Sequence, residues 1–188
     1  MVYILLGNGF EEIEAIAPAD ILKRGGLNVS FLGIDGTEIT GAHGIKVTAD
    51  HMLDASFAER DFDLLIIPGG GGGVSTIKSS SVALKLVASA YRRGKYIGAI
   101  CAGPTVLGAL NLISGVRAVC FPGCESELVG AKIQTDETVV HDGKIITARA
   151  AGSSIDFGLK LLELLRGWEV SEKVRGDLCY DYHEKSLS

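Results

Sequence analysis

The sequence contains no run of about 18 consecutive apolar residues, so no membrane-spanning helix is expected. Positive charge is also scarce, since 18 Lys and Arg stand against 23 Asp and Glu and the net charge is −5. The first residues, MVYILLG, carry no basic segment ahead of an apolar run, which argues against a signal peptide. These features predict neither nucleic acid nor a membrane as a partner.

Cysteine is limited to four residues, at positions 101, 120, 124 and 179. Without a secretory signal, four cysteines in a chain of 188 residues indicate reduced thiols rather than a disulfide framework. We therefore predict a cytoplasmic protein. Cys120 and Cys124 flank the residues FPG, but this spacing is not that of a zinc finger and no paired histidines accompany it. No bound metal is expected.

Apolar residues make up 47% of the chain and charged residues 22%, a balance typical of one globular domain spanning residues 1–188. Apolar strand-like runs alternate with helical patterns, without a linker rich in Pro or Ser and without an internal repeat. This alternation predicts an α/β fold, a doubly wound parallel sheet with helices on both faces. Strands are predicted in VYILLG, LNVSFLGID, DFDLLIIPGG, KYIGAI and GVRAVC.

Helices are predicted over residues 10–26, with a kink at Pro18, and over 81–93, 122–131, 153–167 and 168–183, with another beginning at Gly103-Pro104. The segment TEITGAHGIKVTAD is expected to form a hairpin outside the central sheet. The segment KIQTDETVVHDGKIITAR contains Asp142-Gly143 between two β-rich runs, which predicts a second hairpin.

Three strand ends carry unusual residues: GNGFEEIE, IIPGGGGG and AICAGP. Ligands bind at the carboxyl ends of the strands in sheets of this kind, so these segments mark the expected site. Neither glycine motif fits a nucleotide, because Glu12 stands where a dinucleotide-binding turn has its third Gly, and PGGGGGV lacks the Gly-Lys-Ser/Thr ending of a phosphate loop. No cofactor is predicted. Gly69 to Gly73 form either a flexible turn or a backbone whose N–H groups face a ligand.

Cys101 lies where a predicted strand ends and a predicted helix begins. At the positive end of a helix a thiolate is favoured and its pKa is lowered, which would make Cys101 a nucleophile. The alternative is a small buried hydrophobic residue, which is common for a free cysteine.

Glu14 has Ala17 and Ile21 at helical spacing, so its side chain falls near the apolar face of the first helix. A carboxyl group turned inward would have a raised pKa and would donate a hydrogen bond to a thiolate. The alternative is an ordinary solvated glutamate. The neighbouring Glu11 and Glu12 are explained by capping and by the helix dipole.

The segments GFEEIEAIAPADILKRGG, DLLIIPGG, AICAGPTVL and GSSIDFGLKLLELL together resemble the ThiJ/PfpI superfamily, and within it the DJ-one branch. The resemblance runs in order from about Val2 to Gly167. It implies a flavodoxin-like three-layer α/β/α sandwich of the class I glutamine amidotransferase-like type, and usually a homodimer. It also implies Cys101 as the reactive cysteine on a nucleophile elbow and Glu14 as the protonated carboxyl group beside it. The N–H groups of Gly70 and Ala102 would form the oxyanion site.

The sequence departs from this family pattern at several positions. Phe121 stands where many members have a histidine proposed as a third catalytic group, so a strict Cys-His-Glu triad is not expected. His43 matches a position near the site that is often Arg. Ala102 stands where the protease-like branch has His, which disfavours peptidase activity. Cys120 lies near the expected pocket and either packs there or forms a disulfide with an oxidised Cys101.

Two functions follow from the resemblance. One is a cysteine-dependent enzyme acting on small reactive carbonyls, as a glutathione-independent glyoxalase or deglycase that converts methylglyoxal to lactate. The other is a redox-sensing or oxidative-stress protein in which Cys101 is oxidised to a sulfinate without turnover. A third hypothesis is an unrelated activity, that of a small-molecule hydrolase or of an amidotransferase-like enzyme.

Overall fold

A central seven-stranded sheet dominates the computed structural model, which describes residues 1–180. The chain forms the strands β1 (Val2–Leu6), β2 (Val29–Gly33), β3 (Glu38–Thr40), β4 (Lys46–Thr48), β5 (His51–Met52), β6 (Leu64–Ile67), β7 (Tyr96–Ile100), β8 (Arg117–Ala118), β9 (Lys132–Ile133), β10 (Val139–Asp142) and β11 (Ile145–Ala148). Its helices are α1 (Glu12–Arg24), α2 (Gly71–Ser79), α3 (Ser81–Arg92), α4 (Pro104–Ala109), α5 (Ser154–Arg166) and α6 (Trp168–Asp177).

The strand order of the main sheet is β10-β11-β7-β6-β1-β2-β5, and every pair is parallel except β10 with β11. β1 and β6 are buried along their whole length, which explains their continuous apolar sequences. Helices cover both faces of the sheet, so the predicted α/β fold is confirmed.

Side-chain alternation along the strands separates the core into two layers. Tyr3, Leu5 and Ile67 belong to the layer beneath α3 and α4, whereas Ile4 and Leu6 belong to the layer beneath α1 and α5. α1 packs directly on α5. This arrangement brings the start of α1 beside the carboxyl ends of β1, β6 and β7.

Both predicted hairpins are present. β3 and β4 form a separate antiparallel pair, and β10 turns back antiparallel on β11. β8 and β9 form a third, parallel sheet of two strands. Among the described residues, no helix is long and apolar enough to cross a membrane.

Three details differ from the sequence predictions. The glycine run is not a plain turn, because Gly71 begins α2 and the helix continues to Ser79. The predicted helix over 122–131 is reduced to a short 3-10 helix at Glu125–Glu127. The predicted strand GVRAVC is reduced to Arg117–Ala118, which pairs with β9 outside the main sheet. The end of the predicted tail helix, with His183, falls in residues 181–188, outside the described residues.

Candidate active site

Cys101 has a backbone conformation that is rare for a residue with a side chain. Its φ is +63°, in the left-handed region. The conformation is held by two backbone hydrogen bonds: the Cys101 N–H donates to Ala148 O at 2.9 Å, and the Cys101 carbonyl accepts from the Phe121 N–H at 2.8 Å. Ile100 faces the α1 and α5 layer, and regular alternation would turn residue 101 away from it. Cys101 instead packs against that same layer, the one that contains the helix of Glu14.

Glu14 is fully buried on α1, so the solvated alternative is wrong. Its Oε2 accepts a hydrogen bond from the Gly69 N–H at 2.7 Å, while Oε1 has no hydrogen-bond partner among residues 1–180. Burial raises the pKa of this carboxyl group to about 7, against the lowering effect of the Gly69 N–H and the Cys101 thiol. The negative charge of Glu11 adds to the rise. Glu14 therefore holds or releases a proton near neutral pH.

Two glycines make the approach of these groups possible. A Cβ atom on Gly69 would lie 2.6 Å from Glu14 Oε2 and 2.7 Å from Cys101 Cβ, so only glycine leaves room for both side chains. Gly70 has a φ of +85°, and a Cβ there would lie 2.3 Å from the carbonyl oxygen of Gly9. The backbone N–H groups of Gly70 and Ala102 lie near the Cys101 sulfur, where they act to lower the pKa of its thiol.

The pKa of the Cys101 thiol is raised to about 12, first by burial and then by the carboxylate of Glu14. The N–H groups of Ala102 and Gly70 oppose this rise. The lowering expected from a helix N-terminus is therefore wrong. α4 begins only at Pro104 and has six residues, too far away and too short to offset burial. Two negative charges are disfavoured in this site, so a thiolate forms together with a protonated Glu14.

Glu12 and His43 join α1 to the hairpin of β3 and β4. Glu12 accepts hydrogen bonds from the His43 N–H at 2.8 Å and the Ile45 N–H at 3.4 Å, and its Oε2 lies 2.9 Å from His43 Nδ1. Burial raises the pKa of Glu12, but these hydrogen bonds outweigh it and lower the pKa to about 2. Capping and the dipole therefore do not account for Glu12, since it anchors the hairpin. Glu11, at the N-cap, makes no side-chain capping bond.

The same contacts account for a small acidic cluster. The ligand-type atoms of Glu11, Glu12 and His43 lie within 4.8 Å of one another. Both oxygens of Glu12 already accept hydrogen bonds from the hairpin, and the His43 side chain is 68% exposed. The cluster is explained as a clamp between two elements, and we assign no metal to it.

The remaining predicted residues lie around Cys101 without joining it. Phe121 is bound to the Cys101 carbonyl through its backbone, and its side chain is 47% exposed. Cys120 is buried in the core layer beneath α3 and α4, and Cys124 packs against that layer. Cys101 packs against the other layer, beneath α1 and α5. His51 and His141 are exposed, and the four cysteines are free. The sequence therefore predicts Cys101, Glu14, Gly70 and Ala102 together, and the structure brings these four together.

Comparison with known proteins identifies the family of this chain. The DJ-1/PfpI family model matches residues 1–164. The chain belongs to the DJ-1/PfpI family. Protein dj-1beta of Drosophila melanogaster is 36% identical over 182 residues, which cover 96% of this chain and 97% of that protein. Its crystal structure matches with a TM-score of 0.91 at 35% identity, covering 96% of this chain and 98% of that one.

Two other relatives carry informative descriptions. A Caenorhabditis elegans member of the DJ-1/PfpI family, named glutathione-independent glyoxalase DJR-1.2, is 35% identical over 170 residues, which cover 90% of each chain. A structure of Toxoplasma gondii DJ-1, described as oxidized, matches with a TM-score of 0.89 at 32% identity, covering 96% of this chain and 98% of that one.

Two features of the site escaped sequence reasoning. In the sequence, Gly69 is one residue of a glycine run. The sequence does not indicate that the side chains of Glu14 and Cys101 occupy the space where a Cβ atom of residue 69 would lie. The anchoring role of Glu12 depends on His43, 31 residues away in a hairpin whose position the sequence does not reveal.

Proposed function

We propose that the protein is a cysteine-dependent enzyme that converts small 2-oxoaldehydes to 2-hydroxy acids without glutathione, with methylglyoxal to lactate as the type reaction. The observation that carries the proposal is the buried pairing of a proton-holding Glu14 with Cys101, beside two N–H groups directed at the sulfur. The relative named as a glutathione-independent glyoxalase supports the same reaction class. No cofactor is required.

In the first step the carboxylate of Glu14 takes the proton of the Cys101 thiol, and the sulfur adds to the aldehyde carbon of the substrate and forms a carbon–sulfur bond. The carbonyl electron pair moves onto oxygen, where the N–H groups of Gly70 and Ala102 stabilise the developing charge. The proton of Glu14 then neutralises this oxygen, which gives a hemithioacetal. A carboxyl group with a pKa of about 7 suits this transfer near neutral pH.

The ionised Glu14 next removes the proton from the former aldehyde carbon and returns it to the adjacent carbon. The hydroxyl proton on the former aldehyde carbon passes to the oxygen of the adjacent carbon, which becomes the 2-hydroxyl group. Hydrogen has then moved from one carbon to the other, and the product is a thioester of the 2-hydroxy acid on Cys101. Water hydrolyses the thioester, which releases the hydroxy acid and restores the thiol. The overall change is addition of one water to the oxoaldehyde, with no external oxidant or reductant.

Glu14 carries every proton transfer in this scheme because residue 121 is Phe. The same residues would serve a deglycase-like reaction, in which an adduct of methylglyoxal with an amine or a thiol is hydrolysed. Ala102 offers no imidazole next to the nucleophile, so peptidase activity is not part of the proposal.

The test is lactate formation from methylglyoxal in glutathione-free buffer, with wild type, Cys101→Ser and Glu14→Gln. We expect turnover in the wild type and its loss in both variants, because each removes one of the two reacting groups. Glu169→Gln, at an exposed carboxyl on α6, is a matched control that should retain activity. Equal lactate formation by wild type and Cys101→Ser would disprove the enzyme proposal.

A redox role is the second candidate, and the oxidized Toxoplasma gondii relative is the observation that favours it. Here two hydroperoxide molecules each transfer one oxygen to the Cys101 thiolate and leave as alcohol or water, which gives a sulfenate and then a sulfinate. The sulfinate accepts hydrogen bonds from protonated Glu14 and the N–H groups of Gly70 and Ala102. Mass spectrometry after peroxide treatment separates the two roles. A protein that gains two oxygens on Cys101 alone and produces no lactate would be a sensor.

We further propose that the protein is a homodimer. Ile13, Ile16 and Ile45 are 48%, 40% and 57% exposed, and they line one open apolar surface formed by α1 and the hairpin. Exposed apolar surfaces of this kind mark protein–protein contacts. Location in the cytoplasm stays a prediction, supported by the four free cysteines.

A further inference from the structure

A second pocket lies where the short parallel strands β8 and β9 end. The last backbone hydrogen bond between the two segments runs from the Gln134 N–H to the Ala118 carbonyl at 2.8 Å. Beyond it the chains diverge, and a cavity of about 210 Å³ opens between them. Neither Cys101 nor Glu14 lines this cavity, so the pocket is separate from the candidate active site.

The wall of the pocket is largely apolar. Val119, Cys120, Pro122 and Ile133 contribute to it. Cys120 is 4% exposed, and its thiol pKa is raised to about 12, first by burial and then by the charge of Glu125. The thiol is therefore neutral at physiological pH and acts as an apolar surface.

Arg149 supplies the positive charge of the pocket. It follows β11 directly and is half-buried, and its Nη2 donates to the carbonyl oxygens of Thr135 and Glu137, the latter at 2.9 Å. A guanidinium group has five N–H donors, so Nε and Nη1 retain three. No acceptor for these three lies among residues 1–180, and no carboxylate of that part of the chain is within 4.0 Å of Arg149. A half-buried cation with free donors at the wall of a cavity suits an anionic ligand.

Glu125 limits the charge of that ligand. Its carboxylate also lines the pocket, fixed by a hydrogen bond from the Gly123 N–H at 2.7 Å. Its negative charge repels a second anionic group in so small a space. Dicarboxylates and phosphates are therefore disfavoured, and a cavity of this size admits a small ligand.

We propose that this pocket binds a short-chain monocarboxylate, with the carboxylate on Arg149 and the alkyl chain against Val119, Cys120 and Pro122. The proposal does not depend on the reaction at Cys101.

The probe is butyrate, titrated into ¹⁵N-labelled protein and followed by NMR, including the Arg149 Nε–H signal. We expect saturable shifts at Arg149 and at the backbone of residues 119–125. Butyramide has the same shape without charge and should bind at least about tenfold more weakly, as should succinate. Cys101→Ser should bind butyrate like the wild type, which separates this result from any result on turnover.

Two variants with opposite expected effects complete the test. Arg149→Gln removes the charge of the guanidinium group and should weaken butyrate binding by about tenfold or more. Glu125→Gln keeps an acceptor for the Gly123 N–H, removes the repulsion and should tighten binding about two- to fivefold. The absence of saturable shifts in the wild type, equal affinity for butyramide, or weaker binding in Glu125→Gln would each overturn the proposal.

Discussion

The carboxyl group of Glu14 and the thiol of Cys101 both border one empty position, the place where a side chain on residue 69 would begin. A Cβ atom there would lie 2.6 Å from Glu14 Oε2 and 3.0 Å from Cys101 Sγ. The two groups come from different parts of the chain, and α1 and the left-handed turn at Cys101 bring them to the same point. The geometry of the pair thus depends on a residue that takes no part in the chemistry.

Gly69→Ala tests that dependence. The added methyl group displaces Glu14 or Cys101, and we expect kcat/KM for methylglyoxal to fall about 100-fold, because small displacements of reacting groups are costly. Overpacking should lower the free energy of unfolding by about 1–3 kcal/mol. The matched control is Gly71→Ala in the same glycine run, where a Cβ meets nothing within 4 Å. Equal activity of the two variants would contradict the assigned role of Gly69.

Glu14 should also make stability depend on pH. Its pKa is about 4.5 in a model peptide and about 7 in the folded protein, so between these values only the folded state keeps the proton. Stability is therefore fully present below pH 4.5 and falls as pH rises towards 7, by about 3 kcal/mol in total. Urea unfolding from pH 4.5 to 8 measures this loss.

The loss should be absent in Glu14→Gln, which keeps an acceptor for the Gly69 N–H but does not titrate. Glu12 acts in a different range, because its pKa is lowered to about 2 and its contribution is lost only as pH falls below 4.5. If the free energy of unfolding of Glu14→Gln falls with pH above 4.5 as steeply as that of the wild type, Glu14 is ionised in the folded protein.

The charge of Glu14 should also set the reactivity of Cys101. Its carboxylate is the second cause, after burial, of the raised thiol pKa. In Glu14→Gln the pH midpoint for alkylation of Cys101 by iodoacetamide should therefore be lower than in the wild type. Mass spectrometry of the separate peptides measures the rates, and the exposed Cys179 is an internal control whose rate should not change. An unchanged or higher midpoint for Cys101 would contradict the coupling.

The sequence predicts part of this site because two of its signals are local. Helical spacing turns Glu14 inward, and the strand-to-helix joint singles out Cys101. The raised thiol pKa is not local, since it results from burial beneath several elements and from a carboxylate 87 residues away in the chain. For the same reason the start of α2 at Gly71 was missed: glycine disfavours helices, and the contacts that hold Gly72 and Gly73 against Gly9 and Phe10 form only in the folded protein.

The proposed dimer rests on the apolar surface of α1, and Ile16→Glu tests it. Ile16 is 40% exposed, so a charge there should leave the folded monomer intact while placing an unpaired carboxylate in the interface. We expect the dimer Kd to rise at least about tenfold by sedimentation velocity. Val129→Glu is the matched control, because Val129 is 67% exposed and lies outside that surface, so this variant should stay dimeric. A monomeric wild type, or equal dissociation of both variants, would rule out this interface.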